Sequence, residues 1–170
     1  MVGKDAVQPG QYLTFSMADE ECAVPVLRVR EIIELDTVTR IPSTPAWIRG
    51  VINLRGAVVP VVDLAVKFRL PERPVTRRTC IVIVEVGVDG QPVVVGVLAD
   101  AVNQVVDIGA PDIEAVPSFG TAIRLDYLLG MARFGEKFAL LLDIDRVLST
   151  DEMVVTQAAG AVPTPVACGA

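Results

Sequence analysis

The chain has 170 residues, of which 52% are apolar and 21% charged, so it has the material for one packed domain or two small lobes and lacks the composition of disordered chains. It contains no histidine, which excludes Ser-His-Asp and Cys-His catalysis, histidine-containing zinc sites and phosphohistidine chemistry. The net charge is −6 and no dense stripe of Lys and Arg is present, so nucleic acid is not expected as a partner.

The abundance of β-branched side chains predicts a mainly β fold. Val and Ile together number 41 against 14 Leu, and these residues lose rotamer freedom in helices but pack well on pleated sheets. The three cysteines form no CxxC pair, which predicts neither a disulfide framework nor a Cys-rich metal site and fits the reducing cytoplasm. No secretory leader and no apolar run of ~18 residues is present, so membrane insertion is not expected.

The first part of the chain predicts a tail, a hairpin and a change of period. Residues 1–9 are small and polar and are expected to form a flexible tail. The segments Gln11–Ala18 and Glu21–Val26 have strand composition and predict a first hairpin. In Leu27–Leu35, apolar and charged residues interleave in a pattern that suits a short helix or a strand–helix junction.

Capping signals predict a compact helix over Thr44–Gly50. Thr44 is a suitable N-cap, and Pro45 stands at the first helical position, where a missing N–H costs little. Gly50 can adopt the left-handed conformation that ends a helix.

A second hairpin is expected directly after this helix. Its strands are Val51–Leu54 and Val58–Val62. Pro60 has no N–H for a strand ladder, which predicts an edge or a bulge there. Asp63 is expected to cap a short helix over Leu64–Arg69.

The strongest hairpin signal is Asp89-Gly90, which favours a two-residue type I′ turn. It joins the expected strands Cys80–Val88 and Gln91–Ala99. Both strands are apolar on both faces, as is typical of strands that are covered on both sides. A further strand is expected at Val102–Ile108.

The C-terminal part predicts a loop followed by a third clear hairpin. Residues Ala110–Gly120 are expected to form a loop with a helical turn, and Tyr127–Phe134 to pair with Phe138–Leu142. Asp143 is a suitable cap for a final helical turn.

A capping box at Ser149 and Glu152 predicts a last short helix, and residues 154–170 are expected to form a flexible tail.

About ten short strands without βαβ alternation favour packed or closed antiparallel β structure. We find no internal repeat in the sequence.

No catalytic motif is present. The chain lacks Walker, dinucleotide-binding, HExxH and GxSxG segments, so neither an enzyme nor a cofactor is expected.

Trp47 is interpreted as a core residue, with a partner contact as the alternative. Two charged clusters are interpreted as capping or solvated groups, in preference to a metal site and an anion site: Asp143, Asp145, Asp151 and Glu152, and Arg69, Arg73, Arg77 and Arg78.

The segment from Ile41 to Leu64 resembles the CheW family of chemotaxis coupling proteins. The string Gly-Val-Ile-Asn-Leu-Arg-Gly from Gly50, followed by Pro60 and Asp63, is the specific part of the match. The similarity extends upstream to Gln11 and downstream to the region of Met153, and so covers most of the chain.

The resemblance implies both a fold and a role. The fold would be two small SH3-like five-stranded β-barrels packed side by side, with short helices, intertwined within residues 10–153. The role would be a non-enzymatic, cytoplasmic adaptor that links the cytoplasmic tips of chemoreceptors to the regulatory domain of the histidine kinase CheA, in membrane-associated or cytoplasmic receptor arrays. It also implies weak self-association in rings.

Site residues follow from the same resemblance. Val29, Ile32, Val102 and Val105 would form the apolar floor of a groove, with Glu31 and Arg55 as an ion pair at its edge. The structural alternatives are ordinary strand packing for the valines and a helix stop at Gly50. The residues that the resemblance implies for receptor binding are Val29, Glu31, Ile32, Gly50, Arg55, Val102 and Val105. Ser118 and Phe119 would face the kinase or ring neighbours. The alternative for Phe119 is a loop anchor buried within its own lobe.

Two other functions stay open. The chain resembles the regulatory domain of a histidine kinase as well, because that domain is itself CheW-like. A β-barrel ligand-binding protein or small enzyme is disfavoured by the absence of motifs. A coupling protein with an attached phosphoacceptor domain would need a longer chain.

Overall fold

The computed structural model describes residues 9–71, 73–88, 90–116 and 127–147. Short helical segments are α1 (Leu64–Lys67), α2 (Ile144–Val147) and 3₁₀ turns at Val26–Arg28 and Ala110–Asp112. No helix in these ranges is long and apolar enough to cross a membrane. The mainly β prediction is confirmed by the strands β1 (Gly10–Met17), β2 (Glu20–Pro25), β3 (Val29–Glu34), β4 (Ile48–Leu54), β5 (Ala57–Val62), β6 (Cys80–Val88), β7 (Gln91–Ala99), β8 (Ala101–Ile108), β9 (Ile113–Glu114), β10 (Leu128–Phe134) and β11 (Lys137–Leu142).

The strands form two sheets. The middle sheet has five strands in the order β3-β6-β7-β5-β4 and is built from the centre of the chain. The terminal sheet has six strands in the order β8-β1-β2-β11-β10-β9 and takes strands from both ends of the chain. Where the resemblance implied five strands in each unit, the terminal sheet has in addition the two-residue strand β9.

Strands that are buried on both faces hold the two sheets together. Val82 and Val84 of β6 belong to the inter-sheet core, the largest buried cluster, to which β1, β2 and β11 also contribute. Ile81 and Ile83, which alternate with them, belong to a separate core of the middle sheet. A third cluster, around Tyr12, serves the terminal sheet. This alternation explains why the sequence of β6 is apolar on both faces.

The two sheets repeat the same pairing. In the middle sheet, Gly50 of β4 pairs with Val61 of β5. In the terminal sheet, Gly130 of β10 pairs with Leu141 of β11, and each of these residues lies 80 positions after its counterpart. An irregularity of register falls immediately before both glycines.

The edge strands β3 and β8 correspond in the same way. In β3 a bulge at Arg30 separates Val29 from Glu31, and in β8 a bulge at Asn103 separates Val102 from Gln104. With β9 set aside, strands β8, β10, β11, β1 and β2 therefore correspond to β3, β4, β5, β6 and β7. The terminal sheet thus has the strand arrangement of the middle sheet in a circularly permuted chain order. The repeat is one of strand pairing and not of residue identity, and one copy is split between the two chain ends, so no repeat is visible in the sequence.

The helix expected over Thr44–Gly50 is absent from the structure. Thr44 Oγ1 donates a hydrogen bond to the Ile41 carbonyl at 2.9 Å, where an N-cap would accept one from the first turn. Strand β4 already begins at Ile48. The signal at Leu27–Leu35 was likewise only partly helical, since the 3₁₀ turn ends at Arg28 and strand β3 follows.

The expected hairpins and helix caps are present where the structure describes them. Asp63 Oδ1 accepts a hydrogen bond from the Val66 N–H at 3.3 Å, and Asp143 Oδ1 accepts one from the Arg146 N–H at 3.2 Å. Pro60 lies in an interior strand, and pairing of β5 with β7 begins one residue later, at Val61. Asp89 and the capping box at Ser149 and Glu152 lie outside the described residues.

Gly50 is required by a close approach of two chain segments. Thr39 forms an isolated bridge with Val51, and a Cβ at Gly50 would lie 2.1 Å from the Thr39 carbonyl oxygen. The φ of +144° also falls where side chains are rarely tolerated. The role of Gly50 in the fold is therefore to admit the Thr39 backbone against β4.

Gly50→Ala is expected to lower the free energy of unfolding by about 3 kcal/mol, because the added methyl combines overpacking with an unfavourable φ. Urea denaturation measures the change. Gly87→Ala is the matched control, since the nearest atom to its added Cβ is 3.9 Å away. If Gly50→Ala and Gly87→Ala had the same urea concentration at the unfolding midpoint, the close packing of the Thr39 backbone against Gly50 would be contradicted.

Candidate functional site

Four of the predicted site residues lie on the faces of the two sheets that cover the inter-sheet core. Val29 and Ile32 of β3 are paired with Val84 and Val82, which belong to that core. Paired residues of neighbouring strands project from the same face of a sheet. In β8, Val102 and Val105 are paired in the same way with Phe15 and Leu13, also members of the inter-sheet core.

These four residues form the margin of the inter-sheet core, because β3 and β8 are edge strands. Val29 and Val102 pack against the core and are partly buried. Ile32 and Val105 are 44% and 48% exposed. We call this partly exposed apolar margin, formed by Val29, Ile32, Val102 and Val105, the edge-strand groove.

Cys80 links the two sides of this margin at one end. It is paired with Glu34 of β3, and the Val102 N–H lies near its sulfur. Burial raises the pKa of the Cys80 thiol, and the Val102 N–H partly opposes that shift. The contact places β8 beside the end of β3.

The structure contains the Glu31–Arg55 ion pair. Arg55 Nη2 donates to Glu31 Oε1 at 2.9 Å, and Arg55 Nη1 donates to Glu31 Oε2. Arg55 occupies a two-residue turn with Gly56, and both have positive φ, as a type I′ turn requires. This hydrogen bonding lowers the pKa of Glu31 and raises that of Arg55. The Arg55 side chain remains 74% exposed.

The ion pair and the edge-strand groove lie on opposite faces of β3. Glu31 is paired with Ile83, which belongs to the separate core of the middle sheet. On this face a concavity of about 410 Å³ is lined by Arg30, Glu31 and Arg55 among apolar strand residues. The bulge at Arg30 produces this division within one short strand.

The remaining predicted residues are not part of the groove. Gly50 is buried against Thr39, at the far edge of the middle sheet from β3. Ser118 and Phe119 lie outside the described residues. Four of the seven residues predicted to face a receptor therefore lie on the core-facing sides of the two edge strands, and the ion pair lies on the opposite face of β3.

Sequence reasoning missed a second ion pair, between Arg28 and Asp145. Arg28 Nη1 and Nη2 donate to Asp145 Oδ1 and Oδ2 at 2.9 and 2.6 Å. The Gly87 N–H donates to Asp145 Oδ1 at 2.9 Å, and Arg28 also donates to the Glu85 carbonyl. These bonds connect the first 3₁₀ turn, β6 and α2. The partners are 117 positions apart, so no local pattern indicates the pair.

An aromatic cluster lies at the other side of the inter-sheet core. Trp47, just before β4, and Tyr127, just before β10, occupy equivalent positions and both pack against this core. Lys67 Nζ lies 4.5 Å from the Trp47 ring centroid and 5.6 Å from that of Tyr127, within cation–π range. The interpretation of Trp47 as a core residue agrees with this position.

The acidic residues do not form a metal centre in the described part of the chain, where no three Asp, Glu or Cys side chains converge. Asp143 caps α2, and Asp145 binds Arg28. In the basic loop, Arg73 forms an ion pair with Asp19. These contacts give Asp143, Asp145 and Arg73 roles within the fold.

Arg55→Gln is expected to raise the pKa of Glu31 toward the ordinary Glu value of about 4.3, because the hydrogen bonds from Arg55 hold it lower. Titration of the side-chain carboxyl carbon by NMR measures it. Arg133→Gln is the control, since Arg133 pairs with Glu114 instead. A Glu31 titration unchanged by Arg55→Gln would show that the ion pair is not formed in solution.

Asp145→Asn is expected to lower stability by about 1 kcal/mol at pH 7, because the pair is more than a third exposed and solvent screens it. Arg28 lowers the pKa of Asp145 in the folded state, so this contribution is complete above the unfolded value of about 3.9 and is lost as pH falls through the folded pKa. Urea unfolding at several pH values tests this, with Asp36→Asn as an exposed control. A difference between wild type and variant that does not shrink in acid would contradict the assignment.

Comparison with known proteins identifies the family. Residues 11–152 match the family model of the CheW-like domain. Chemotaxis protein CheW of Klebsiella aerogenes is 37% identical over 145 residues, which cover 85% of both chains. Protein FrzA of Myxococcus xanthus is 34% identical over 142 residues, which cover 82% of this chain and 86% of that one. The crystal structure of the scaffolding protein TtCheW from Thermoanaerobacter tengcongensis aligns with a TM-score of 0.75 and 31% identity, over 86% of this chain and 92% of that one. The chain belongs to the CheW-like family of non-enzymatic chemotaxis scaffold proteins.

Proposed function

We propose that this chain is a cytoplasmic adaptor that couples the cytoplasmic tips of chemoreceptors to the histidine kinase CheA in receptor arrays, either membrane-associated or cytoplasmic. Membership of the CheW-like family supports the chemotaxis role. The single observation that carries the receptor contact is the edge-strand groove, in which partly exposed Ile32 and Val105 continue the apolar surface of the inter-sheet core.

The groove suits an amphipathic helix. Its apolar residues are supplied by two edge strands rather than by one flat face, and a helix can lay an apolar stripe along such a margin. Ile32 and Val105 each have about half of their surface left to bury. A contact of this size is weak alone, and repetition within an array raises its occupancy through effective concentration.

The kinase contact is proposed to involve Ser118 and Phe119, as the family resemblance implies. An aromatic side chain is a frequent anchor of small interfaces. These two residues would serve the regulatory domain of CheA and the weak ring contacts between scaffold proteins. A coupling protein requires separate contact residues for the kinase and for the receptor.

Reconstitution tests the coupling. The chain is added to receptor membranes and CheA, and phosphorylation of the kinase is followed with and without attractant. We expect phosphorylation to rise with added chain and to fall when attractant is present. No effect over a wide concentration range would reject the coupling role, whatever surface is used.

Val105→Glu is expected to weaken receptor pull-down at least tenfold, which corresponds to about 1.4 kcal/mol, because a helix over the groove would have to desolvate the new carboxylate. Stability should change little, since Val105 is 48% exposed. Val75→Glu, at an exposed valine of the loop before β6, is the matched control. Receptor binding that survives Val105→Glu with the fold intact would place the receptor elsewhere.

A further inference from the structure

The segment that leads from β3 to β4 forms a cleft with the middle sheet. The cleft has a volume of about 280 Å³. Its apolar lining residues Leu35, Val38 and Leu98 also pack against the separate core of the middle sheet. Arg40 and Arg49 line the same cleft. An apolar wall and two guanidinium side chains therefore occur together at one site.

A backbone bridge brings the two arginines to one place. The Thr39 N–H donates to the Val51 carbonyl at 2.9 Å, and the Val51 N–H donates to the Thr39 carbonyl at 2.8 Å. Arg40 directly follows Thr39, and Arg49 lies two residues before Val51. Arg49 is also the extra residue where the pairing of β4 with β5 shifts register, and such a bulge re-aims a side chain.

The terminal sheet shows that the fold does not require a cation at this bulge. Leu129 lies 80 positions after Arg49, at the same irregularity of register. Asp143 caps α2 as Asp63 caps α1, although the bulge before Asp143 carries leucine in place of arginine. Neither the bulge nor the helix cap therefore explains the charge of Arg49.

The two guanidinium groups are only partly engaged within the described part of the chain. Arg49 Nη1 donates to Asp63 Oδ2 at 3.4 Å, which is longer than the ~2.7–2.9 Å of a charge-assisted hydrogen bond. The side chain of Arg40 is exposed and forms no hydrogen bond or ion pair with the described residues. A guanidinium has several N–H donors, so both arginines can donate to a ligand in the cleft.

We propose that this cleft binds a carboxylate that carries a short aliphatic group, with Arg40 and Arg49 as the donors to the carboxylate. The planar guanidinium matches a carboxylate through two parallel hydrogen bonds. Phosphate could accept the same bonds, but Asp36 lines the cleft and Asp63 lies beside Arg49. These two acidic residues repel a doubly charged phosphate more strongly than a singly charged carboxylate.

The apolar wall and the size of the cleft limit the rest of the ligand. Leu35, Val38 and Leu98 contact its aliphatic part. Pockets for drug-sized ligands have volumes of about 300–1,000 Å³, so a smaller cleft suits a group the size of one branched side chain. A free short-chain acid and the carboxyl-terminal apolar residue of a polypeptide share this chemistry.

Titration of the backbone amide NMR signals at constant ionic strength tests the site. Isovalerate is the probe for a free acid, and N-acetyl-alanyl-leucine is the probe for a chain end. We expect saturable shifts at Leu35, Arg40 and Leu98 in the millimolar range. Isovaleramide and the amidated dipeptide lack the charge and should bind at least about tenfold more weakly. The carboxylate that binds more tightly identifies the source, and equal affinities support the shared chemistry.

Three variants test the assigned residues. Arg40→Gln is expected to weaken isovalerate binding at least about tenfold, and Asp36→Asn to strengthen it about two- to threefold. Arg49→Leu copies Leu129 of the equivalent bulge, so it should keep the fold and also weaken binding at least about tenfold. Arg78→Gln, at an exposed arginine outside the cleft, is the matched control and should leave the affinity unchanged.

Four outcomes would overturn the inference. The first is the absence of saturable shifts with both carboxylates. The second is phosphate binding as tight as that of isovalerate, and the third is equal binding of the acids and their amides. The fourth is a loss of affinity in Arg78→Gln that equals the loss in Arg40→Gln, which would reveal a general attraction of anions to positive charge. None of these measurements involves a receptor or a kinase, so they leave the proposed coupling role untouched.

Discussion

Burial of both faces of the central strands is the constraint on which the rest of the molecule depends. In β6, Ile81 and Ile83 are enclosed by the middle sheet, while Val82 and Val84 need a second apolar layer to cover them. The terminal sheet supplies that layer. Each fully buried side chain of this kind contributes about 1.5 to 3 kcal/mol, so neither sheet is expected to be stable without the other.

The groove is a consequence of this arrangement. The inter-sheet core must end where each sheet ends, and at β3 and β8 it ends without a further strand to cover it. Completing the burial of Ile32 and Val105 would yield only a few kcal/mol, whereas association costs about 4 kcal/mol or more in lost freedom. A weak apolar contact that depends on an array for its occupancy suits a scaffold and would not suit an isolated binder.

Local signals in the sequence predicted the parts of the fold that local interactions determine. The caps Asp63 and Asp143 act on N–H groups three residues away, and the hairpins follow from turn residues. The helix over Thr44–Gly50 failed because Gly50 is required by the Thr39 carbonyl, a neighbour in space that no capping pattern reveals. Arg28 and Asp145 were missed for the same reason.

The candidate site came from the family resemblance, not from composition or periodicity. Period alone gave Leu27–Leu35 an interpretation as a short helix or a strand–helix junction, because its apolar residues interleave with charged ones without strict alternation. In the structure a bulge at Arg30 interrupts the alternation within a strand. The repeat was hidden for a related reason, because the equivalent segments after Val29 and Val102 share a pattern of apolar positions but few identities.

The two bulges also indicate what kind of partner the edges accept. An extended, regular edge strand invites pairing with another strand. Bulges at Arg30 and Asn103 interrupt the ladder and increase the local twist, which disfavours strand addition. They also let Val29 share a face with Ile32, and Val102 with Val105, which strict alternation would prevent. The same distortion therefore blocks a β partner and assembles an apolar surface for side chains, and this combination favours a helix as the occupant of the groove.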